Sequence, residues 1–299
     1  MAAATPNVLR QYQTAVRNFQ VSPYMQYPSH VHMETFSRCT AACNFCPYTS
    51  LDRIGSRMSD ALIEKIITDL TDIPRHVPFQ ISPFKVNEPF LDTRLFDILH
   101  TINQRLPHAE ICLTSNASPI TERNLSKLLQ VERVKYLWIS FNDHRPEHYE
   151  QTMRLPWKRT QERLTMIHKA LADGRLKFRV VLSRVGDNSP ADLEFMQWVS
   201  QNFPLFQTHI FQRGGWLGQA NIELNTPVPP TGCIRWFELS ITSTGKVAHC
   251  CMDGKAEWPI GDVNHQHMLE VYNNPEYRAL REKTRSRMEV SPCNTCTFL

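Results

Sequence analysis

Short runs rich in β-branched and aromatic residues alternate, between about residues 31 and 213, with longer stretches whose apolar residues return at helical spacing. The runs 32–36, 79–84, 110–114, 134–141, 178–182 and 207–211 predict six strands. A helix is expected after each of the first five, over 58–70, 95–106, 121–129, 157–172 and 190–203. Ser59, Thr121 and Ser189 stand where N-cap side chains belong. Alternation of this kind predicts an α/β fold with a parallel sheet under covering helices. Six units suit a partial (β/α)6 barrel, because the chain then changes character. The expected division is an irregular N-terminal arm (1–30), the partial barrel (31–218) and a small C-terminal α+β domain (219–299). The arm carries Pro6, Pro23 and Pro28 among the aromatics Tyr12, Phe19, Tyr24 and Tyr27. Polar groups gather at the C-terminal ends of the strands, where barrels of this type build their active sites.

Composition narrows the setting. A chain of 299 residues with 41% hydrophobic content supports one large domain and a small one. Its opening lacks a basic stretch followed by an apolar run, so no signal peptide is expected. No apolar segment approaches the roughly 20 residues of a membrane helix, which argues against a membrane partner. The net charge of +4 is small, and no Lys/Arg cluster marks a nucleic-acid surface. Nine cysteines in such a chain fit a reduced, cytoplasmic setting with metal-binding thiolates better than a disulfide framework.

Three of them, Cys39, Cys43 and Cys46, fall in the run Arg38-Cys-Thr-Ala-Ala-Cys-Asn-Phe-Cys-Pro-Tyr48. Iron–sulfur clusters normally take four thiolates, so a tight group of three suggests a cluster with one iron open to another ligand. A zinc site completed by a histidine or a distant cysteine is the alternative. Cys112, inside an apolar run, reads as a small buried residue.

The first strand followed by Cys39-x-x-x-Cys43-x-x-Cys46 resembles the signature of the radical S-adenosylmethionine (SAM) enzymes. The resemblance extends over the chain after about residue 31. It implies that the three thiolates hold a [4Fe–4S] cluster whose fourth iron is chelated by SAM. Phe45 takes the aromatic position before the last cysteine, and Tyr48 would lie near the adenine. Where the family has Gly-Gly-Glu after the second strand, this chain reads Lys85-Val-Asn-Glu-Pro89. Glu88 is thereby implied to bind the amino group of SAM, while the missing glycines put the backbone contacts in doubt. Ser115 and Asn116 end the third strand and Ser140 and Asn142 the fourth, the latter pair implied to face the ribose. Arg184, past the fifth strand, would pair with the cofactor carboxylate. For each of these the alternative is a solvated or helix-capping loop residue.

The last 80 or so residues resemble the abbreviated auxiliary-cluster domain called twitch, related to the longer SPASM domain. By that resemblance Cys233, Cys250, Cys293 and Cys296 hold a second [4Fe–4S] cluster, with zinc on the same ligands as the alternative. The further cluster of the longer domain is not expected, since the chain stops three residues after Cys296. Cys251 directly follows a ligand and completes neither set. It is either an accident of a domain with frequent paired cysteines or a thiol hydrogen-atom donor to a substrate radical. His249 and Asp253 are marked only by their closeness to this pair, each either a partner of the cluster or a contact of the substrate, and Trp216 is expected to pack between the domains rather than line the pocket.

The resemblance implies an enzyme that abstracts hydrogen from an unactivated C–H group, with SAM and two [4Fe–4S] clusters and an external electron donor such as flavodoxin or ferredoxin. An aminosugar or polyol of aminoglycoside-antibiotic type is the first expectation, epimerised with Cys251 returning the hydrogen, as in the aminoglycoside-pathway radical epimerases. Oxidation of a secondary alcohol through the auxiliary cluster, as in 2-deoxy-scyllo-inosamine dehydrogenase, is the alternative. Modification of a ribosomal peptide comes next, weakened because only some 30 residues precede the first strand. A non-enzymatic iron–sulfur or zinc protein comes last.

Overall fold

The structure, a computed structural model, describes residues 6–220 and 227–298; residues 1–5, part of the stretch expected to lack a signal peptide, lie outside these. Six parallel strands form the core: β1 (His30–Met33), β2 (Phe79–Ser82), β3 (Ala109–Ser115), β4 (Val134–Ser140), β5 (Arg179–Gly186) and β6 (Gln207–Gln212). Helix α1 (Pro6–Gln20) precedes them, and α2 (Asp60–Leu70), α3 (Leu95–Arg105), α4 (Glu122–Leu128), α5 (Pro146–Met153), α6 (Trp157–Ala172) and α7 (Pro190–Asn202) connect them. The C-terminal part adds β7 (Glu238–Ile241), β8 (Lys246–Ala248), β9 (Gly261–Asp262), α8 (Met268–Tyr272) and α9 (Pro275–Lys283). The strands make one sheet in the order β6-β5-β4-β3-β2-β1-β7-β8-β9. The expected α/β architecture with a parallel sheet is therefore present, and its sheet runs on into the C-terminal part. Among the described residues no helix is long and apolar enough to cross a membrane.

Alternation along each strand separates two environments. Val31, Met33, Ile81, Ile111, Leu113, Leu137, Ile139, Val180 and Leu182 face outward into the core beneath the helices. The intervening His30, His32, Gln80, Ser82, Thr114, Ser140 and Ser183 line an interior cavity instead. Helix α2 shows how the shell attaches. Ser59 caps it by accepting from Leu62 N, and Leu62, Ile63, Ile66, Ile67 and Leu70 are buried. Each such side chain contributes about 1.5–3 kcal/mol of burial, and the cap about 1 kcal/mol. Thr121 and Ser189 cap α4 and α7 as expected.

Three local expectations need correction. The N-terminal arm is largely helical: Tyr12, Val16 and Phe19 lie on one face of α1 and pack into the core. Its prolines suggest irregularity, but Pro6 falls at the start of the helix and the other two follow its end. Helix α5 has no counterpart among the expected elements, because only Tyr149 and Met153 of its eight residues are buried. Strand β1 begins two residues earlier than expected, where it pairs with both β2 and β7.

The junction of barrel and C-terminal part is buried and charged. Glu34, just past β1, takes Arg53 in a two-pronged pair at 2.5 and 3.1 Å, and Arg53 also donates to Gly254 O at 2.8 Å. Ser243 N donates to the same carboxylate at 3.1 Å, and Lys85 Nζ to Asp253 O at 2.7 Å. At Gly254 a Cβ would stand 2.7 Å from Pro47, directly after Cys46, so the seam admits only glycine without a shift. Replacing Arg53 by Met leaves Glu34 charged and unpaired in this seam. We expect a loss of roughly 3–5 kcal/mol in denaturant unfolding, with Glu34→Gln/Arg53→Met recovering part of it; an unchanged midpoint would show that the pair does not hold the junction.

Candidate functional site

Cys39, Cys43 and Cys46 lie on the loop between β1 and α2, at the C-terminal end of the barrel. The loop is held by the end of α5, where Met153 O accepts from Ala42 N and Thr152 O from Asn44 N, each at 3.1 Å. Asn116 Nδ2 donates to Thr40 Oγ1 at 2.9 Å and approaches Cys39 Sγ at 3.7 Å. All three thiols are free and half-buried, and all line one cavity of about 750 Å³. Burial pushes Cys39 up to about 12 and Cys46 up to about 11, so a cluster must displace their protons on binding. Three free sulfurs on one loop around an open cavity suit a thiolate-held iron cluster with one open position.

The expected cofactor contacts divide. Phe45, Tyr48, Glu88, Ser115, Asn116 and Ser140 line the same cavity as the three cysteines. Glu88 accepts from Ser115 Oγ at 2.9 and 3.0 Å, from Asn116 N at 2.7 Å and from Phe90 N at 3.2 Å. Burial nevertheless raises this carboxyl to about 7. Asn142 is set behind the wall with a left-handed backbone (φ 68°); its amide donates to Ser140 Oγ at 2.8 Å and its oxygen accepts from Val185 N at 2.9 Å. Arg184 departs from expectation. Its guanidinium is occupied by Asp143 at 2.9 Å, Asp187 at 3.2 Å, Asp192 at 2.7 Å and Asn142 O at 2.7 Å, outside the cavity lining. Three carboxylates already satisfy it, so it buttresses the β4 and β5 ends instead of reaching a ligand.

The second cysteine set also converges. Cys233, Cys250, Cys293 and Cys296 line one small cavity between Trp236, Arg287 and Phe298. Polar groups surround its sulfurs: Tyr12 Oη donates to Cys233 Sγ at 3.6 Å and Trp236 Nε1 to Cys293 Sγ at 3.4 Å, and His249 Nε2 lies 3.2 Å from Cys293 Sγ. Four free thiols with such partners fit a four-thiolate cluster, whose potential these donors would raise. Asp253 serves as a knot for the same loop, accepting from Gln219, Glu257 N and Trp258 N at 2.8–3.1 Å.

Cys251 does not join the four. It faces the larger cavity, within the field of Arg235, Glu238 and Lys85, and burial pushes its thiol up to about 11 against the pull of Arg235. Trp216 closes the seam by donating to Phe45 O at 2.9 Å and also lines the cavity. Cys112 is buried in β3. Sequence reasoning missed Lys85, which bridges to Asp253, and a polar group on the wall formed by His30, His32, Glu238 and Arg235. The alternation of His30 and His32 is a signal that could have pointed to the latter.

Comparison with known proteins agrees with this geometry. Residues 33–193 match the Radical SAM superfamily, and residues 233–297 match the SPASM iron–sulfur cluster-binding domain. Among solved structures, BtrN in complex with AdoMet and 2-DOIA resembles the chain with a TM-score of 0.64 at 16% identity, covering 91% of this chain and 93% of that one. Streptococcus suis SuiB bound to S-adenosylmethionine gives 0.67 at 12% identity, covering 96% and 75%. anSMEcpe with bound AdoMet and Cp18Cys peptide gives 0.64 at 12%, covering 90% and 87%. At these identities the likeness is one of fold. No curated protein sequence matches the chain.

Glu88 supplies a test of the site's electrostatics. Its folded pKa of about 7 exceeds the ordinary 4.5, so the folded state holds more protons between these values. Stability contributed by this group therefore falls as pH rises through that window, by about 3 kcal/mol in full. In cofactor-free protein, Glu88→Gln should gain stability over wild type at pH 8 and lose most of that advantage at pH 5. A difference independent of pH would show that the carboxyl does not titrate there.

Proposed function

This chain belongs to the radical SAM superfamily, and we propose that it removes hydrogen from a C–H group of a small aminosugar or polyol and inverts that carbon, with Cys251 as hydrogen-atom donor. The observation that carries this reading is the place of Cys251, on the cavity that Cys39, Cys43 and Cys46 also line and one residue from Cys250 of the four-sulfur set. When bound, SAM and its cluster supply the electron and the primary carbon radical that takes the substrate hydrogen.

The chain's own residues do the rest. With a pKa of about 11, the Cys251 thiol keeps its hydrogen at neutral pH, as an S–H donor must. Transfer to the opposite face breaks the S–H bond and makes the new C–H bond. One electron and one proton then return the sulfur radical to a thiol. Cys250, next in sequence and among the four sulfurs, gives the electron a short covalent route. An external reductant of the flavodoxin or ferredoxin class supplies electrons to the enzyme. Phe45, Tyr48, Glu88, Ser115, Asn116 and Ser140 hold SAM in this reading, with Glu88 opposite its ammonium. Asn142 positions Ser140, and Arg184 is given no contact with the cofactor. The cavity of about 750 Å³ must hold cofactor and substrate together, which favours a small molecule over a long peptide.

A second reading, oxidation of a secondary alcohol, is favoured by the donors at Tyr12, Trp236 and His249 and by the buried Arg287 beside the four sulfurs. They stabilise an added electron, as an acceptor of the substrate's electron requires. The fold likeness to BtrN, solved with 2-DOIA, is in keeping with either reading.

Solvent deuterium separates the two. Against a panel of aminosugars and cyclitols in D₂O, inversion should place one deuterium on carbon, because a thiol exchanges with solvent. Oxidation should instead give a product two hydrogens lighter. Cys251→Ala should abolish inversion while still cleaving SAM; an Ala variant that inverts its substrate would overturn the donor assignment.

A further inference from the structure

The cavity wall carries a buried cluster that neither cysteine set uses. His30 and His32 alternate along β1, so both rings face the barrel interior, where they stack with centroids 4.0 Å apart. β7 lies beside β1 in parallel register with His30 opposite Glu238, which brings a carboxylate to the two imidazoles. A ligand atom from each of the three lies within 4.8 Å of the others, and the residues are only 8, 8 and 6% exposed. His32 Nε2 and Glu238 Oε2 are 3.1 Å apart. The edge between two ligands of a tetrahedral ion bound at about 2.0–2.1 Å is about 3.3–3.4 Å, so these two hydrogen-bonded atoms need to part by only about 0.2–0.3 Å to take an ion between them.

The surroundings hold these three groups in place. Arg235 Nη1 holds the other carboxylate oxygen, Glu238 Oε1, at 2.7 Å. It fixes the carboxylate's orientation as the outer partners of metal-bound carboxylates do, and leaves Oε2 on the histidine side. His30 Nε2 lies 2.7 Å from Ser82 Oγ, a neutral hydroxyl that an ion can displace or share. All these residues line the 750 Å³ cavity, so a bound ion would keep a position open to its contents.

We infer that His30, His32 and Glu238 form a site for a divalent transition-metal ion of the zinc class, with its open position turned to an oxygen or nitrogen of the substrate. Two imidazoles and one carboxylate with an open position are a donor set that zinc and related ions take readily. The ion would fix a polar group of the substrate at the wall carrying Arg235 and Glu238, the residues whose field reaches Cys251. The site stands whether the carbon is inverted or oxidised.

The test uses anaerobically reconstituted holoenzyme, its iron content measured first so that the cysteines are occupied. After equilibrium dialysis against micromolar ZnCl₂, the wild type should retain about one zinc per chain beyond its iron. X-ray absorption at the zinc edge should show nitrogen and oxygen ligands with imidazole scattering and no sulfur. His32→Gln and His30→Asn, compared at wild-type iron content, should lose that zinc at least tenfold more readily. No zinc above the iron complement, sulfur-ligated zinc, or zinc retained undiminished by both variants would each overturn the site. The wild-type spectrum decides alone if the variants fail to take up iron.

Discussion

The parallel pairing of β1 with β7 is the contact on which the rest of the arrangement depends. It extends the barrel sheet into the C-terminal part, with His30 opposite Glu238 and His32 opposite Ser240. Because one strand then carries the three-cysteine loop at its end and the C-terminal part along its side, two separate sets of sulfurs meet around shared walls. The Glu34–Arg53 pair, with Ser243 N and Gly254 O on its two partners, locks that register. Lys85 adds a second tie to Asp253. A buried ion pair is weak evidence for stability in itself; here its value is in fixing one relative placement of two units.

That placement gives a division of labour in charge. The barrel end offers a buried carboxyl, Glu88, with three donors and, among the described residues, no cationic side chain bonded to it, as suits a site for a cationic ligand. The C-terminal side gathers Arg235 and Arg287 near the thiols. Cys251 lies between, neutral and turned into the cavity. Trp216 at the seam and Phe19 of α1 add apolar surface to the lining of this space.

Much of this was legible in the sequence where information is local. Helix α6 spans the stretch expected from its periodicity, and the caps at Ser59, Thr121 and Ser189 form as their residue types dictate. The Cys39–Cys46 spacing is an eight-residue pattern on one loop, so it survives without knowledge of the fold. Legibility fails where the fold decides. Arg184 looks free at a strand end, but β4 and α7 bring Asp143 and Asp192 to it. Helix α1 is hidden because its apolar face is narrow and its neighbours include prolines. Glu238 acquires meaning only through register with a strand some 200 residues earlier. Alternation of His30 and His32 in β1 hints at a polar barrel interior, and the pairing with β7 supplies the residue that faces them.

Iron and acid-labile sulfide per chain, after anaerobic reconstitution of the intact protein and of the Cys39/Cys43/Cys46 triple Ala variant, test the two-set arrangement most directly. The account predicts about eight irons in the intact chain and about four in the variant, the remainder held by Cys233, Cys250, Cys293 and Cys296. About four irons in the intact chain and none in the variant, or zinc in place of iron at the cysteines, would contradict it.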